Sequence, residues 1–146
     1  MSLTLFEKLQ LTNEKNLLVQ GLPSTIEKQF AKLSFAKNVT PLLRIRKIDF
    51  ALIFALNQKQ LNDILSEVFP ALSNSAKLWI AFPKLTSKIV SDLNRDCTWS
   101  YLRANGFEGD TEGQVVLDYV WSAMPFNKFT TLKGSLSPKR KALTIA

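Results

Sequence analysis

At 146 residues with 46% apolar side chains, the chain is long enough for one domain with a sizeable core and too apolar for a disordered tail. Its formal charge of +7 is lopsided: of 19 basic residues, five (Lys128, Lys133, Lys139, Arg140 and Lys141) follow Asn127, where no acid occurs, leaving 14 basic against 12 acidic residues in the body. Histidine is absent, which removes the commonest neutral-pH acid–base group and the commonest zinc ligand together.

These counts set the first expectations. A single cysteine, Cys97, cannot close an internal disulfide, so nothing points to secretion. The longest apolar runs, Phe50 to Leu56 and Leu78 to Phe82, fall far short of the roughly 20 residues that span a bilayer. Glu7, Lys8, Glu14 and Lys15 break any apolar leader. A cytoplasmic protein without membrane contact is expected, divided into one domain over 1–126 and a basic tail over 127–146. Because the body is almost neutral, net charge alone does not make the domain a nucleic-acid binder.

Along the chain, Leu5, Phe6 and Leu9 have the spacing of one short helix face. Leu17-Leu-Val19 reads as a buried strand ending at Gly21-Leu22-Pro23. Ser24 with Glu27 predicts a capping box, and Ile26, Phe30 and Leu33 a helix stripe behind it. Pro41 is expected to stop that helix, leaving room for a short strand around Leu42 to Ile45. Asp49 to Leu56 is apolar on both faces, as central parallel strands are. Leu61, Ile64, Leu65 and Val68 follow at helical spacing, with Pro70 near the helix end. Lys77 to Phe82 is another two-sided strand, stopped by Pro83, and Ser87 to Arg95 reads as a helical turn or ordered loop. A further helix is expected from Thr98 as N-cap, burying Trp99 and Leu102 and closing at Gly106 in the left-handed region. Gln114 to Val120 and Ser122 to Phe129 read as two tightly joined strands, with Pro125 best placed at an edge.

That alternation predicts an α/β fold: a three-layer, Rossmann-like, mostly parallel sheet with an antiparallel C-terminal hairpin at its edge. Methyltransferase-like Rossmann folds finish in this way, an analogy of layout. Three segments carry a closer likeness: Glu7 to Pro23, with its run Asn16-Leu-Leu-Val-Gln-Gly-Leu-Pro23; Leu78-Trp-Ile-Ala-Phe-Pro-Lys84 continuing through Thr86 to Ile89 and Ser91 to Asp96 as far as Trp99; and Asp118-Tyr-Val-Trp-Ser-Ala123. Together they resemble a bacterial family of uncharacterised proteins, a domain of unknown function, over about half the chain. The resemblance implies the small Rossmann-like, methyltransferase-like fold and brings no activity, so no catalytic residue carries over. The chain departs from the family after the first strand, where Leu22-Pro23-Ser24 runs straight on without a further small or acidic turn.

A dinucleotide or S-adenosylmethionine site needs glycines after the first strand, so that backbone can approach the ligand, and an acid ending the second strand to bind ribose hydroxyls. Gly21 is the only glycine in the first loop, and Arg44, Arg46 and Lys47 carry the wrong charge for that ribose contact. The usual cofactor pocket therefore reads as absent or rebuilt, and no cofactor, metal or catalytic residue is assigned. The main expectation is a non-catalytic domain with an anion or small-ligand site or a partner-interaction role; the alternatives are a methyltransferase-like enzyme with a modified nucleotide-type site, and nucleic-acid contact through the tail.

The anion-site candidates are Lys84, Ser87, Lys88 and Arg95, which belong beyond the carboxyl ends of the strands, where ligands gather in open α/β sheets. Against this, Ser87 caps and Asp92 and Asp96 pair with Arg95 and Lys88. Asp92 and Asp96 at helical spacing are a weak magnesium pattern. Cys97 beside Arg95 lacks a histidine base, so a nucleophilic role has little support. Trp79 and Trp99 read as core, Trp121 as a lid on the core, and Asp118 as an acceptor of backbone N–H groups in its turn. In the tail, Leu143 and Ile145 are candidate anchors on the domain or on a second copy in a homo-oligomer; the rival reading is a phosphate-backbone arm.

Overall fold

The computed structural model describes residues 5–31, 33–84, 86–89, 91–93 and 99–128. Two-residue alternation organises it. In β1 (Leu17–Gln20), β2 (Ile48–Phe54) and the last six residues of β3 (Leu72–Pro83), successive side chains point to opposite faces of one sheet and both sets are largely buried. Leu18, Ala51, Ile53, Leu78 and Ile80 join one apolar cluster; Leu17, Val19, Phe50, Leu52 and Trp79 join the other. At about 2 kcal/mol for each fully buried large apolar side chain, this two-sided burial is the chief force holding the strands central.

The three strands are parallel, with Val19 opposite Leu52 and Leu52 opposite Trp79. Beyond β3 lies β6 (Trp121–Lys128), antiparallel to it. The outer margin of β6 is shared by two short strands, β4 (Phe107–Gly109) and β5 (Val115–Val116), giving the order β1-β2-β3-β6-β4 with β5 beside β6. The Rossmann-like layout is thus parallel at its start and antiparallel toward its C-terminal side.

Helices cover both faces. The helix α3 (Gln58–Val68) sinks Leu61, Leu65 and Val68 into the first cluster, as its spacing predicts, and α4 (Ser100–Ala104) adds Leu102. On the other face lie α1 (Leu5–Lys8) and a 3-10 turn over Glu27–Phe30, with Phe30 edge-on to Phe6 at 5.6 Å and to Phe35 at 6.3 Å. The expected capping box at Ser24 and Glu27 does not form: this turn has no side-chain cap.

A second expectation is overturned at Pro41. No strand follows it; Pro41–Arg46 is a helix, α2, and Pro41 opens it. Proline suits the first helical position because its missing N–H would have no partner there, and the Thr40 side chain accepts from Leu43 N–H at 3.1 Å.

Pro125 lies inside the sheet yet behaves as an edge residue. Its carbonyl accepts from Asp110 N–H at 2.9 Å, so its ring nitrogen also faces the outer margin of β6. That margin is interrupted there by a 3-10 turn, Thr111–Gly113, between β4 and β5, so no ladder bond is lost. Trp79 is fully buried, and Trp121, 7% exposed, packs edge-on against Phe54 at 5.3 Å. Trp99 is buried against Phe126 at 5.0 Å and Phe82 at 5.7 Å, but its backbone is left-handed (φ 52°) and its indole Nε1 has no hydrogen-bond partner among the described residues. Gly106 follows α4 at φ +89°, as expected.

Candidate functional site

The site begins with how the chain leaves β1. Gly21 has φ +79°, and a β-carbon there would lie 2.8 Å from the Phe54 carbonyl oxygen. Only glycine lets the ends of β1 and β2 come this close. The chain then crosses one face, burying Ile26 and Phe30, and returns to the outer edge of β1. There Ala36 makes a single parallel bridge: Val19 N–H donates to Ala36 O and Ala36 N–H donates to Leu17 O, both at 2.9 Å. It next crosses the other face through α2, which buries Leu43, and enters β2 on the opposite side of β1. The strand order therefore reverses about β1, with one bridged residue standing where a whole strand would run. Crevices at such reversal points, outside the carboxyl ends of the strands, are where open α/β sheets hold ligands.

A cleft of about 810 Å³ lies there. Its walls are the end of β1 (Val19, Gln20, Gly21 and Leu22), the returning crossover (Glu27, Phe30, Ala31, Leu33, Ser34, Phe35, Lys37 and Asn38), Phe54 of β2, and Gln60 and Ile64 of α3. Aromatic and aliphatic side chains alternate with amides, one carboxylate and one ammonium. Among the described residues Glu27 and Lys37 form no ion pair with each other or with anything else.

The N-terminus of α3 borders the cleft, and its Gln58 and Gln60 N–H groups are already used. Asn57 accepts from Gln60 N–H at 2.8 Å, while the Gln60 side-chain carbonyl accepts from Leu56 N–H at 2.7 Å, a reciprocal cap of the kind expected at Ser24. Gln58 N–H donates to Asp92 at 2.7 Å. A carboxylate thus occupies the helix end where a bound anion would compete, and Asp92 has this structural duty rather than pairing with Lys88.

The residues singled out from sequence fall in three places. Lys84 and Ser87, half-buried, and Lys88, exposed, follow β3 on the same rim as the cleft, but none of them lines it. Lys84 N–H donates to Val120 O at 2.7 Å, and the Ser87 hydroxyl accepts from Ile89 N–H at 3.3 Å. Arg95, Asp96, Cys97 and Thr98 lie outside the described residues, as does the chain from 129 onward with its tail readings.

Arg44, Arg46 and Lys47 belong elsewhere. They end α2 just ahead of β2, on the rim where strands begin, and Lys47 Nζ donates to Pro70 O at 2.8 Å. Their charge has no bearing on a ribose contact, which corrects the inference drawn from their sign. Sequence reasoning placed the second-strand position at 42–45; the bridge puts it at Ala36, followed by Lys37 and Asn38. No local pattern marks that position, because two main-chain hydrogen bonds at one residue leave no periodicity.

Asp118 serves its turn as expected, accepting from Val120 and Trp121 N–H at 2.8 Å each. Its second oxygen accepts from the Thr25 hydroxyl at 3.2 Å, tying this turn to the loop leading into the cleft. A carboxyl with a displaced pKa, Glu14, lies on the far rim. Burial raises the Glu14 pKa, but hydrogen bonds from Lys77 and Thr12 outweigh that and hold it at about 2. Lys77 Nζ sits 2.8 Å from Glu14 and also donates to Gln10 O.

No protein-family model matches the chain, and no curated protein matches it. Solved structures do. The structure of LepI in complex with SAM is 14% identical with a TM-score of 0.48, over 86% of this chain and 39% of that one. A ribosomal protein L11 methylase from Lactobacillus delbrueckii subsp. bulgaricus is 15% identical with a TM-score of 0.44, over 78% and 58%. A precorrin 8W decarboxylase from Methanobacterium thermoautotrophicum is 15% identical with a TM-score of 0.43, over 81% and 73%. The chain thus spans less than two thirds of LepI and of the methylase. Among the described residues no helix is long and apolar enough to cross a membrane.

Proposed function

We propose that the chain binds a small nucleoside-type molecule in the cleft over β1 and β2, a reading closer to the methyltransferase-like alternative than to the main expectation of a non-catalytic domain with an anion or small-ligand site or a partner-interaction role. The observation that carries it is position: an open, part-polar cleft of about 810 Å³ sits at the reversal of strand order, within the size range of small-molecule sites. Phe35 and Leu22, backed by the buried Phe30, offer apolar surface to a planar base. Gln20, Asn38 and the side-chain amide N–H groups of Gln60, unpartnered among the described residues, offer donors, and Glu27 offers a further acceptor. Gly21 lets the ends of β1 and β2 meet at the cleft, close backbone approach being one role of a first-loop glycine in nucleotide folds. The single cysteine suits a cytoplasmic setting.

Thermal unfolding with adenosine, its phosphates, S-adenosylmethionine and S-adenosylhomocysteine tests this. At about ten times its dissociation constant, one of them is expected to raise Tm by about 4 °C. Leu33→Trp, which fills the cleft from its half-buried wall, is expected to abolish the shift. If no nucleoside compound moves Tm at millimolar concentration, the reading fails.

A further inference from the structure

We infer that Lys37 makes the cleft selective for a nucleoside carrying a phosphate on its sugar, over one with a bare diol. This rests on the nucleoside reading above and adds a preference within it. In doubly wound sheets the residue ending the segment on the far side of β1 meets the sugar: an acid there binds two hydroxyls, whereas a cation accommodates a phosphate. In this chain that segment is the bridge at Ala36, and the next residue is Lys37. Lys37 lines the cleft, is exposed, and has no hydrogen-bond or ion-pair partner among the described residues.

The chemistry of the two candidate partners separates them. An ammonium only donates, so it cannot accept from a diol as a carboxylate does, but it forms charge-assisted hydrogen bonds with phosphate oxygens. Asn38, the adjoining residue of the same wall, adds amide donors to the same end. The cleft's acid, Glu27, comes from the crossover's 3-10 turn, earlier in the chain and beyond ion-pair distance of Lys37. The cleft is therefore divided, with a cation where the sugar is held and a carboxylate apart from it. The other helix end nearby is unsuited to phosphate, because Asp92 already fills it.

Calorimetric titration of the whole chain with adenosine, adenosine 2′-, 3′- and 5′-monophosphate and inorganic phosphate tests the inference in wild type, Lys37→Gln and Lys37→Glu. The 2′- or 3′-phosphate is expected to bind about ten-fold tighter than adenosine, Lys37→Gln to erase the difference, and Lys37→Glu to make adenosine the better ligand. Since Lys37 is exposed and unpartnered, both variants should keep the wild-type Tm. Equal affinity for adenosine and all its phosphates, or a phosphate preference that survives Lys37→Glu, overturns the inference while leaving nucleoside binding intact. Inorganic phosphate binding as tightly as the nucleotides also overturns it, since the sugar is then irrelevant. Failure of adenosine and every nucleotide to bind overturns both.

Discussion

Where the parallel strands begin, charges are matched to partners: Glu14 is bonded by Lys77 and Thr12, Asp49 accepts from the backbone N–H groups of Lys15 and Asn16, and Lys47 reaches the Pro70 carbonyl. Where the same strands end, Glu27 and Lys37 face one cleft with no such partner among the described residues. The same sheet thus uses Glu14, Asp49 and Lys47 for closure at the first rim and leaves Glu27 and Lys37 at the second without a protein partner among the described residues. Glu27 and Lys37 are therefore charges that folding does not consume, which is the physical condition for a binding site to exist there at all.

The sharpest way to break this contrast is at Gly21. Alanine there needs a left-handed backbone and a β-carbon 2.8 Å from the Phe54 carbonyl, so Gly21→Ala is expected to destabilise by about 3 kcal/mol and to distort the cleft floor; chemical denaturation reads the first effect and ligand titration the second. A variant as stable as wild type would show that the two strand ends do not meet so closely.

The closed rim gives a smaller, pH-dependent effect. The folded-state pKa of Glu14 is depressed from 4.5 to about 2, so its stabilisation is full above the ordinary value and lost as pH falls toward the folded one. Glu14→Gln is expected to cost about 1 kcal/mol near neutral pH, after allowing for the part-exposed Lys77, with the gap from wild type closing between pH 4.5 and about 2. A gap that persists in acid would assign the loss to packing. The smallest effect belongs to Asp92→Ala, about 0.5–1 kcal/mol through the lost cap on α3; it should leave a vacant helix end beside the cleft, so a gain in anion affinity is the informative readout.

Much of the fold was legible because burial on both faces leaves a plain signature. The apolar stretches around Leu17, Ala51 and Ile80 are strands, and the spacing from Leu61 to Val68 is a helix. Two local rules misled. Pro41 reads equally as a helix stop and a helix start, and the deciding residue was Thr40, a side chain able to cap. The pattern Ser24-x-x-Glu27 resembles a capping box, but the chain must turn back after Phe30 to reach β1 at Ala36, too soon for a full helix; Asn57-x-x-Gln60 carried the working version. The cleft was hidden for a different reason. Its walls come from residues 19–22, from eight residues between Glu27 and Asn38, from Phe54, and from Gln60 and Ile64, and their meeting depends on a crossover that no short motif encodes. Lys84, Ser87 and Lys88 drew notice as neighbours in sequence, while Lys37, Asn38 and Gln60 converge only in space.

The bridge at Ala36 has a dynamic corollary. Around Ala36 the returning chain is fastened to its sheet by two main-chain bonds among the described residues, while Ile26 and Phe30 anchor the earlier part of the crossover in the core. This edge can detach while β1, β2 and β3 stay zipped to one another, since their ladders do not pass through it. Breathing of this molecule should therefore begin at the mouth of its crevice, so that a guest enters by a local opening far cheaper than unfolding and, once seated, fastens the flap that admitted it.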